Sequence, residues 1–220
     1  MAGNEQQVLS LTPADALAFL VRQAHALPTD RRTVIGITGG PGTGKSTIAT
    51  ELVAALGPVA AYVPMDGFHM LHAKLEALGM VADKGAPHTF EGEAFAAFIS
   101  SLKTASGPVS GPGYSRPLED VVQNAFIIAA ESRILVAEGN YLLLTDPPWG
   151  TVRPQLDLSV FIDVLREKVR ARLVKRHAEH GLFSEERNRQ HIERVDLANY
   201  DLVQRSRPRA DIVIDLLTDA

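Results

Sequence analysis

Cysteine is absent from all 220 residues. That absence removes disulfide bonds, thiolate catalysis and cysteine-ligated zinc, and it suits a reducing compartment, so a cytoplasmic location is expected. Basic charge is also scarce. The 22 Lys and Arg are outnumbered by 26 Asp and Glu, giving a net charge of −4, so no positive field favours nucleic acid or an anionic membrane. No window approaches the roughly 18 uninterrupted apolar residues of a membrane-spanning helix, and no membrane partner is expected. The opening MAGNEQQVLSLTPADALAFL has no basic region followed by an apolar stretch, so no signal peptide is expected. Asp-x-x-Gly and Asn-Lys-x-Asp are both missing, which counts against a GTP-driven switch.

What is present fits a single domain over residues 1–220, with 45% hydrophobic and 22% charged residues. Thr12-Pro13-Ala14-Asp15 reads as an N-cap with proline at the first helical position, and Leu17, Leu20, Val21 and Ala24 give a buried stripe through about His25. Strands are expected at Thr33 to Thr38 and at Val59 to Pro64, with a helix between them that ends at Gly57-Pro58. Residues 66–124 break this rhythm. They hold Gly67, Gly79, Gly85, Pro87, Gly92 and the segment SGPVSGPGYSRP, around one helical stretch from Glu93 to Leu102. This is too long for a plain connection and reads as an insertion or lid carrying specificity. Apolar runs return at Ala125 to Glu131 and Arg133 to Ala137, the second closing on Glu138-Gly139. A strand at Leu156 to Val164, a helix from Arg166 to about Glu179, a helix capped by Ser184 and a strand at Ala210 to Leu216 follow. Apolar strands alternating with helices point to an α/β fold with a parallel sheet covered on both faces.

The stretch VIGITGGPGTGKSTIATEL, residues 34–52, carries the chemistry. Gly39, Gly40, Pro41, Gly42 and Gly44 can neither extend the strand before them nor sit cheaply in a helix. Gly39-x4-Gly44-Lys45-Ser46 is a phosphate-binding loop, in which small residues let backbone N–H groups curl around phosphate oxygens. The positions from Gly39 through Thr43 and Gly44 to Lys45, Ser46 and Thr47 are therefore expected to hold the phosphates of ATP. The helix N-terminus and Lys45 add positive charge, and the Ser46 hydroxyl is offered to Mg²⁺.

Ligands of open parallel sheets gather at the carboxyl ends of strands, and two acidic residues fall there: Asp66 after AAYVPM and Glu138 after RILVA. Beside a phosphate loop they fit the two carboxylate jobs of phosphoryl transfer. One holds Mg²⁺ through its water shell and the other accepts a proton from the attacking hydroxyl. Gly67 is expected to free the backbone so that Asp66 turns toward the loop. Among seven histidines, His69, His72 and His88 match no zinc-ligand spacing, and His69 reads as a hydrogen-bonding pocket residue. On the helix from Arg166, Arg172 and Arg176 stack one turn apart and are the choice for compensating phosphoryl charge.

Together these segments resemble the phosphoribulokinase, uridine kinase and pantothenate kinase family of P-loop metabolite kinases. Beyond the loop, the likeness rests on MDGFHM at 65–70, KGAPHTFE at 84–91, YSRPLEDVV at 114–122, LVAEGNYLLL at 135–144 and VDLANYDLV at 195–203. It is strongest to a small bacterial subgroup of sugar or fructose kinases associated with fructose uptake. The resemblance implies a nucleoside-monophosphate-kinase-like fold with a five-stranded parallel core and a mobile lid at about residues 165–183. It implies Asp66 as the base, Glu138 as the second acid near Mg²⁺, and Arg172 and Arg176 as lid arginines. By position, His69, Lys84, Tyr114, Arg116, Asp196 and Asn199 would line the acceptor pocket. The chain departs from the pantothenate kinase pattern at Tyr114-Ser115-Arg116, where Tyr-Ser-His is usual, and at Val195-Asp196, where Ile-Asn is usual. A carboxylate at 196 suits a polyol, so a sugar ranks first.

The expected activity is ATP-dependent phosphorylation of a small-molecule hydroxyl, with a homodimer considered as the assembly. Pantothenate or nucleoside phosphorylation is the alternative within the enzyme class. A nucleotide-binding switch acting on a protein partner is the alternative outside it.

Overall fold

The computed structural model describes residues 6–180 and 184–217. Its strands are β1 (Gln7–Leu11), β2 (Thr33–Thr38), β3 (Ala60–Pro64), β4 (Val109–Ser115), β5 (Asp120–Ile128), β6 (Ile134–Gly139), β7 (Leu158–Asp163) and β8 (Ile212–Leu216). Six of them form one parallel sheet in the order β1-β8-β7-β2-β6-β3, while β4 and β5 pair antiparallel as a separate hairpin. The helices are α1 (Pro13–His25), α2 (Lys45–Leu56), α3 (His72–Leu78), α4 (Gly92–Thr104), α5 (Arg166–His180), α6 (Glu185–His191) and α7 (Leu197–Gln204).

Alternation along the strands explains the layers. Ile35, Ile37, Val136, Val160 and Ile162 pack on one face with Leu20 of α1 and Leu52 of α2. Val34, Leu135, Ala137 and Phe161 pack on the other with Phe95 of α4 and Trp149. All six residues of β2 are buried, as a central strand covered on both faces requires. The Thr12 cap is present, its Oγ1 accepting from the Asp15 N–H at 3.2 Å.

The sheet has six strands where five were expected. The extra strand is β1, which pairs along β8 from Gln7–Ile212 to Leu11–Leu216. QVLSL is short and lies at an edge, with Val8 49% exposed, so it lacks the apolar run that marks its neighbours. Residues 125–128 also differ from the apolar-run reading, because they finish β5 of the hairpin rather than joining the main sheet. The stretch expected as a lid contains α5, and its last residues, 181–183, lie outside the described residues. Among the described residues no helix is long and apolar enough to cross a membrane.

Candidate active site

Three strand ends meet at one edge of the sheet. β2 runs into the loop at 39–44, β6 ends on Glu138-Gly139, and β3 runs into the 3-10 turn Met65–Phe68. The parallel register sets Glu138 beside Ile37 on one side and beside Pro64 on the other. The loop, Glu138 and Asp66 therefore share one carboxyl edge, where open α/β sheets take their ligands.

The loop is shaped by its glycines. Gly42 and Gly44 adopt φ of +76° and +89°, which β-carbons disfavour. A β-carbon on Gly39 would lie 2.4 Å from the Ile162 carbonyl oxygen. Thr43 Oγ1 donates to the Gly40 carbonyl at 2.9 Å and closes the turn. Pro41 and Thr43 are buried, whereas Ser46 and Thr47 are exposed at the start of α2. That helix has no side-chain N-cap, and its first N–H groups lack acceptors within the helix. A side-chain-free cradle ending on an uncapped helix N-terminus fits the phosphates of ATP.

Lys45, only 9% exposed, places Nζ 3.5 Å from Glu138 Oε1. On its other side Glu138 accepts the Tyr62 hydroxyl at 2.6 Å through Oε2. Burial, then the Glu138 charge, holds the Tyr62 phenol far above its ordinary pKa, so it is a neutral donor. Glu138 is thereby fixed between a cation and a phenol. Glu138 and Ser46 both offer hard oxygen, the donor chemistry of Mg²⁺, and are the residues that would hold that ion.

The Asp66 carboxylate has no hydrogen-bonding or ion-pairing partner among the described residues, yet its charge acts on Tyr62, His69, Tyr114, Tyr141 and Arg176. Its neighbour Gly67 has an ordinary φ. A β-carbon there would lie 1.9 Å from the Pro112 carbonyl oxygen of β4. Glycine at 67 thus admits the hairpin across the turn carrying Asp66, rather than supplying the backbone freedom expected of it.

The remaining candidates surround this turn. His69 Nδ1 donates to the Asp66 carbonyl at 2.9 Å, and its ring lies 3.8 Å from Phe90 and 4.7 Å from Tyr114 between centroids. Burial lowers its pKa, so the imidazole is neutral and Nε2 remains an acceptor. Lys84 places Nζ 5.3 Å from the Tyr114 ring centroid and donates to the Glu119 carbonyl. The next carbonyl, that of Gly85, accepts Tyr141 Oη and, at 3.1 Å, Asn199 Nδ2. Asn199 therefore braces the Lys84 loop. Asp196, 8% exposed, hydrogen-bonds His177 Nε2 at 2.9 Å.

The two chosen arginines go to different places. Arg172 donates from Nη1 to the carbonyls of Gly42 and Thr43, at 3.3 and 3.4 Å, and lies on the phosphate loop. Arg176, one turn on, is held below its usual pKa by burial and feels the charges of Asp196, Arg116 and Asp66. Sequence reasoning passed over Tyr62 and Tyr141, and took His177 for a surface or half-buried polar group without a role in the site. Spacing gives no signal for Tyr141 or His177, and the only hint of Tyr62 is a phenol in an otherwise apolar strand.

A core parallel sheet with this loop, this lysine and a carboxylate on the adjacent strand defines a P-loop kinase fold. The model of the phosphoribulokinase / uridine kinase family matches residues 34–220, and the chain belongs to that family. With the family comes the class of enzyme, an ATP-dependent kinase of small molecules. A Schizosaccharomyces pombe protein provisionally named a uridine kinase is 31% identical over 89% of this chain and 88% of its own length. The pantothenate kinase of Nitrobacter hamburgensis is 33% identical over 77% of this chain, which spans 58% of that enzyme's length. A crystal structure from Silicibacter sp. TM1040, provisionally named a fructose transport system kinase, superposes with a TM-score of 0.80. It is 33% identical, over 90% of this chain and 98% of its own.

Proposed function

We propose that the protein transfers the terminal phosphoryl group of ATP to a hydroxyl of a sugar, with Asp66 as general base. The observation that carries this reading is a carboxylate, unpartnered among the described residues, on the turn after β3, beside a phosphate loop whose Lys45 is already engaged with Glu138 of β6. ATP is the phosphoryl donor, and Ser46 and Glu138 would hold a Mg²⁺ ion that would screen the phosphate charge. Asp66 takes the proton from the acceptor hydroxyl as that oxygen bonds to the terminal phosphorus. Lys45 and the α2 N-terminus stabilise the charge that builds on the bridging oxygen as its bond to that phosphorus breaks and ADP leaves. His69, neutral and fixed by the Asp66 carbonyl, orients the acceptor through Nε2. The Arg172 guanidinium closes over the loop. The name of the Silicibacter neighbour and the Asp196 carboxylate support a sugar over pantothenate, and the cysteine-free composition supports a cytoplasmic setting.

The test is a coupled ADP-release screen over sugars, nucleosides and pantothenate, run with and without Mg²⁺. Stimulation by a sugar in Mg²⁺, abolished by excess chelator, is the expected result. ADP release that no acceptor stimulates would return the protein to the nucleotide-switch reading.

A further inference from the structure

One segment of the chain touches three sides of the cleft, and phosphoryl transfer by Asp66 leaves one of its bonds unused. The π-helical turn Ile192–Asp196 runs into α7, a wide turn of a kind found mostly as single bulges at functional sites. Tyr200 of α7 lies against the phosphate loop, where a β-carbon on Gly40 would come within 2.5 Å of its ring. Asn199 donates to the Gly85 carbonyl at 3.1 Å, and Val195 Cγ1 lies 3.9 Å from where a Gly85 β-carbon would stand. The segment therefore faces the loop that carries Lys84. Asp196, between these contacts, reaches α5, its Oδ2 accepting from His177 Nε2 at 2.9 Å. The His177 and Asp196 side chains are only 21% and 11% exposed.

Helix α5 delivers His177 from a fixed base. A β-carbon on Gly42 would lie 3.2 Å from Leu173 and 3.3 Å from Val169, and Arg172 donates to the Gly42 and Thr43 carbonyls. On its other side the His177 ring lies 5.6 Å from that of His191 between centroids. Burial lowers the His191 pKa, so this neighbour packs as a neutral ring and His177 is the partner of Asp196. A buried carboxylate needs donors at both oxygens, and among the described residues Oδ1 has none. We infer that His177 is a positioning residue, which holds Asp196 by Oδ2 so that Oδ1 accepts from a hydroxyl of the acceptor other than the one phosphorylated. This inference rests on the kinase reading and deepens it, because it requires an acceptor with at least two hydroxyls.

The test is run on the full chain with fructose, uridine and pantothenate as probes. One readout is kcat and KM in ADP release, and the other is calorimetric affinity with a non-hydrolysable ATP analogue bound. For the probe that wild type uses best, His177→Ala should raise KM about tenfold or more and weaken binding equally. Its kcat should stay within about threefold and its KM for ATP within about twofold, the pattern of lost acceptor binding alone. His177→Gln, whose amide nitrogen replaces Nε2 as donor, should recover most of the loss. Asp196→Ala should lose at least as much as His177→Ala, and adding His177→Ala to it should bring no further loss, since His177 acts through Asp196. A merely structural bond predicts a lower midpoint of thermal unfolding with acceptor KM unchanged, and that result would overturn the inference. So would a matching loss of ATP affinity, additive losses in the double variant, or binding of none of the three probes. A probe that binds and loses affinity in His177→Ala, yet never raises ADP release, would end the kinase reading and leave the positioning role standing.

Discussion

Asp157 and Asp66 stand at opposite ends of the sheet and keep opposite company. Asp157, just before β7, accepts the Val34 N–H at 2.8 Å, Arg31 at 2.7 Å and Lys103 at 3.1 Å. Nearby, Asp211 accepts Ser159 N–H at 2.8 Å, Ser159 Oγ at 2.7 Å and Arg153 at 2.8 Å. Arg32, 3% exposed, donates to the carbonyls of Ser132, Leu102 and Ala129 at 3.0, 3.1 and 2.9 Å. These charges fasten the amino ends of the strands and need nothing from solution. At the carboxyl ends, the Asp66 carboxylate has no such partner among the described residues. The same side-chain types are structural where the fold satisfies them and available for chemistry where it does not.

That contrast can be broken at either end, and the largest effect belongs to the cleft. Lys45→Ala should lower kcat by about 10³ or more, because the charge it places on the terminal phosphates is lost, while thermal unfolding stays near wild type. Wild-type ADP release from this variant would put the loop outside the reaction. At the amino ends the currency is stability. Arg32→Ala leaves several buried carbonyls without a donor and should cost about 3 kcal/mol in urea unfolding, with ATP affinity of the folded protein preserved.

Asp157→Asn sharpens the same contrast through pH, at a cost of about 2 kcal/mol near neutrality. Although burial alone would raise it, the hydrogen bonds from Arg31, Val34 and Lys103 hold the Asp157 carboxyl below its ordinary 3.8. A carboxylate lowered in the folded state stabilises the fold fully above its ordinary pKa and loses that contribution as pH falls through the folded value. The stability gap between wild type and Asp157→Asn should therefore be flat near neutrality and close in acid below about pH 4. A gap independent of pH down to strong acid would remove the charge from the explanation. The smallest effect is expected at Tyr62→Phe, which takes one donor from Glu138. It should raise the Mg²⁺ needed for half-maximal activity about fivefold and leave stability within about 1 kcal/mol. An unchanged Mg²⁺ titration would make the Tyr62 contact incidental.

How much of this was legible in the sequence follows from how local each signal is. The phosphate loop, the Thr12 cap and the buried strands are written in adjacent residues, because steric limits on glycine and proline and the two-sided burial of parallel strands act over short spans. Asp66 and Glu138 could be placed because each ends an apolar run. β1 escaped because its partner, β8, lies some 200 residues along the chain and its own five residues are half exposed. Tyr62, Tyr141 and His177 escaped for the same reason, since their partners Glu138, Gly85 and Asp196 come from other segments. Gly67 was legible as a glycine with a purpose, but its purpose is the close approach of β4, which no local rule encodes. That the Asp66 carboxylate has no partner among the described residues is likewise visible only once the other side chains have been placed.

The central claim is that Asp66 is the base for a hydroxyl acceptor, and Asp66→Asn tests it most directly, preserving size while removing proton affinity. Steady-state kinetics with the best acceptor, alongside calorimetric ATP binding, give the measurement. A positioned general base contributes about 10²–10⁴-fold, so kcat and kcat/KM should fall together by that factor. KM and affinity for ATP should change little. Phosphorylation of the acceptor within a few-fold of wild type would show that Asp66 is not the base.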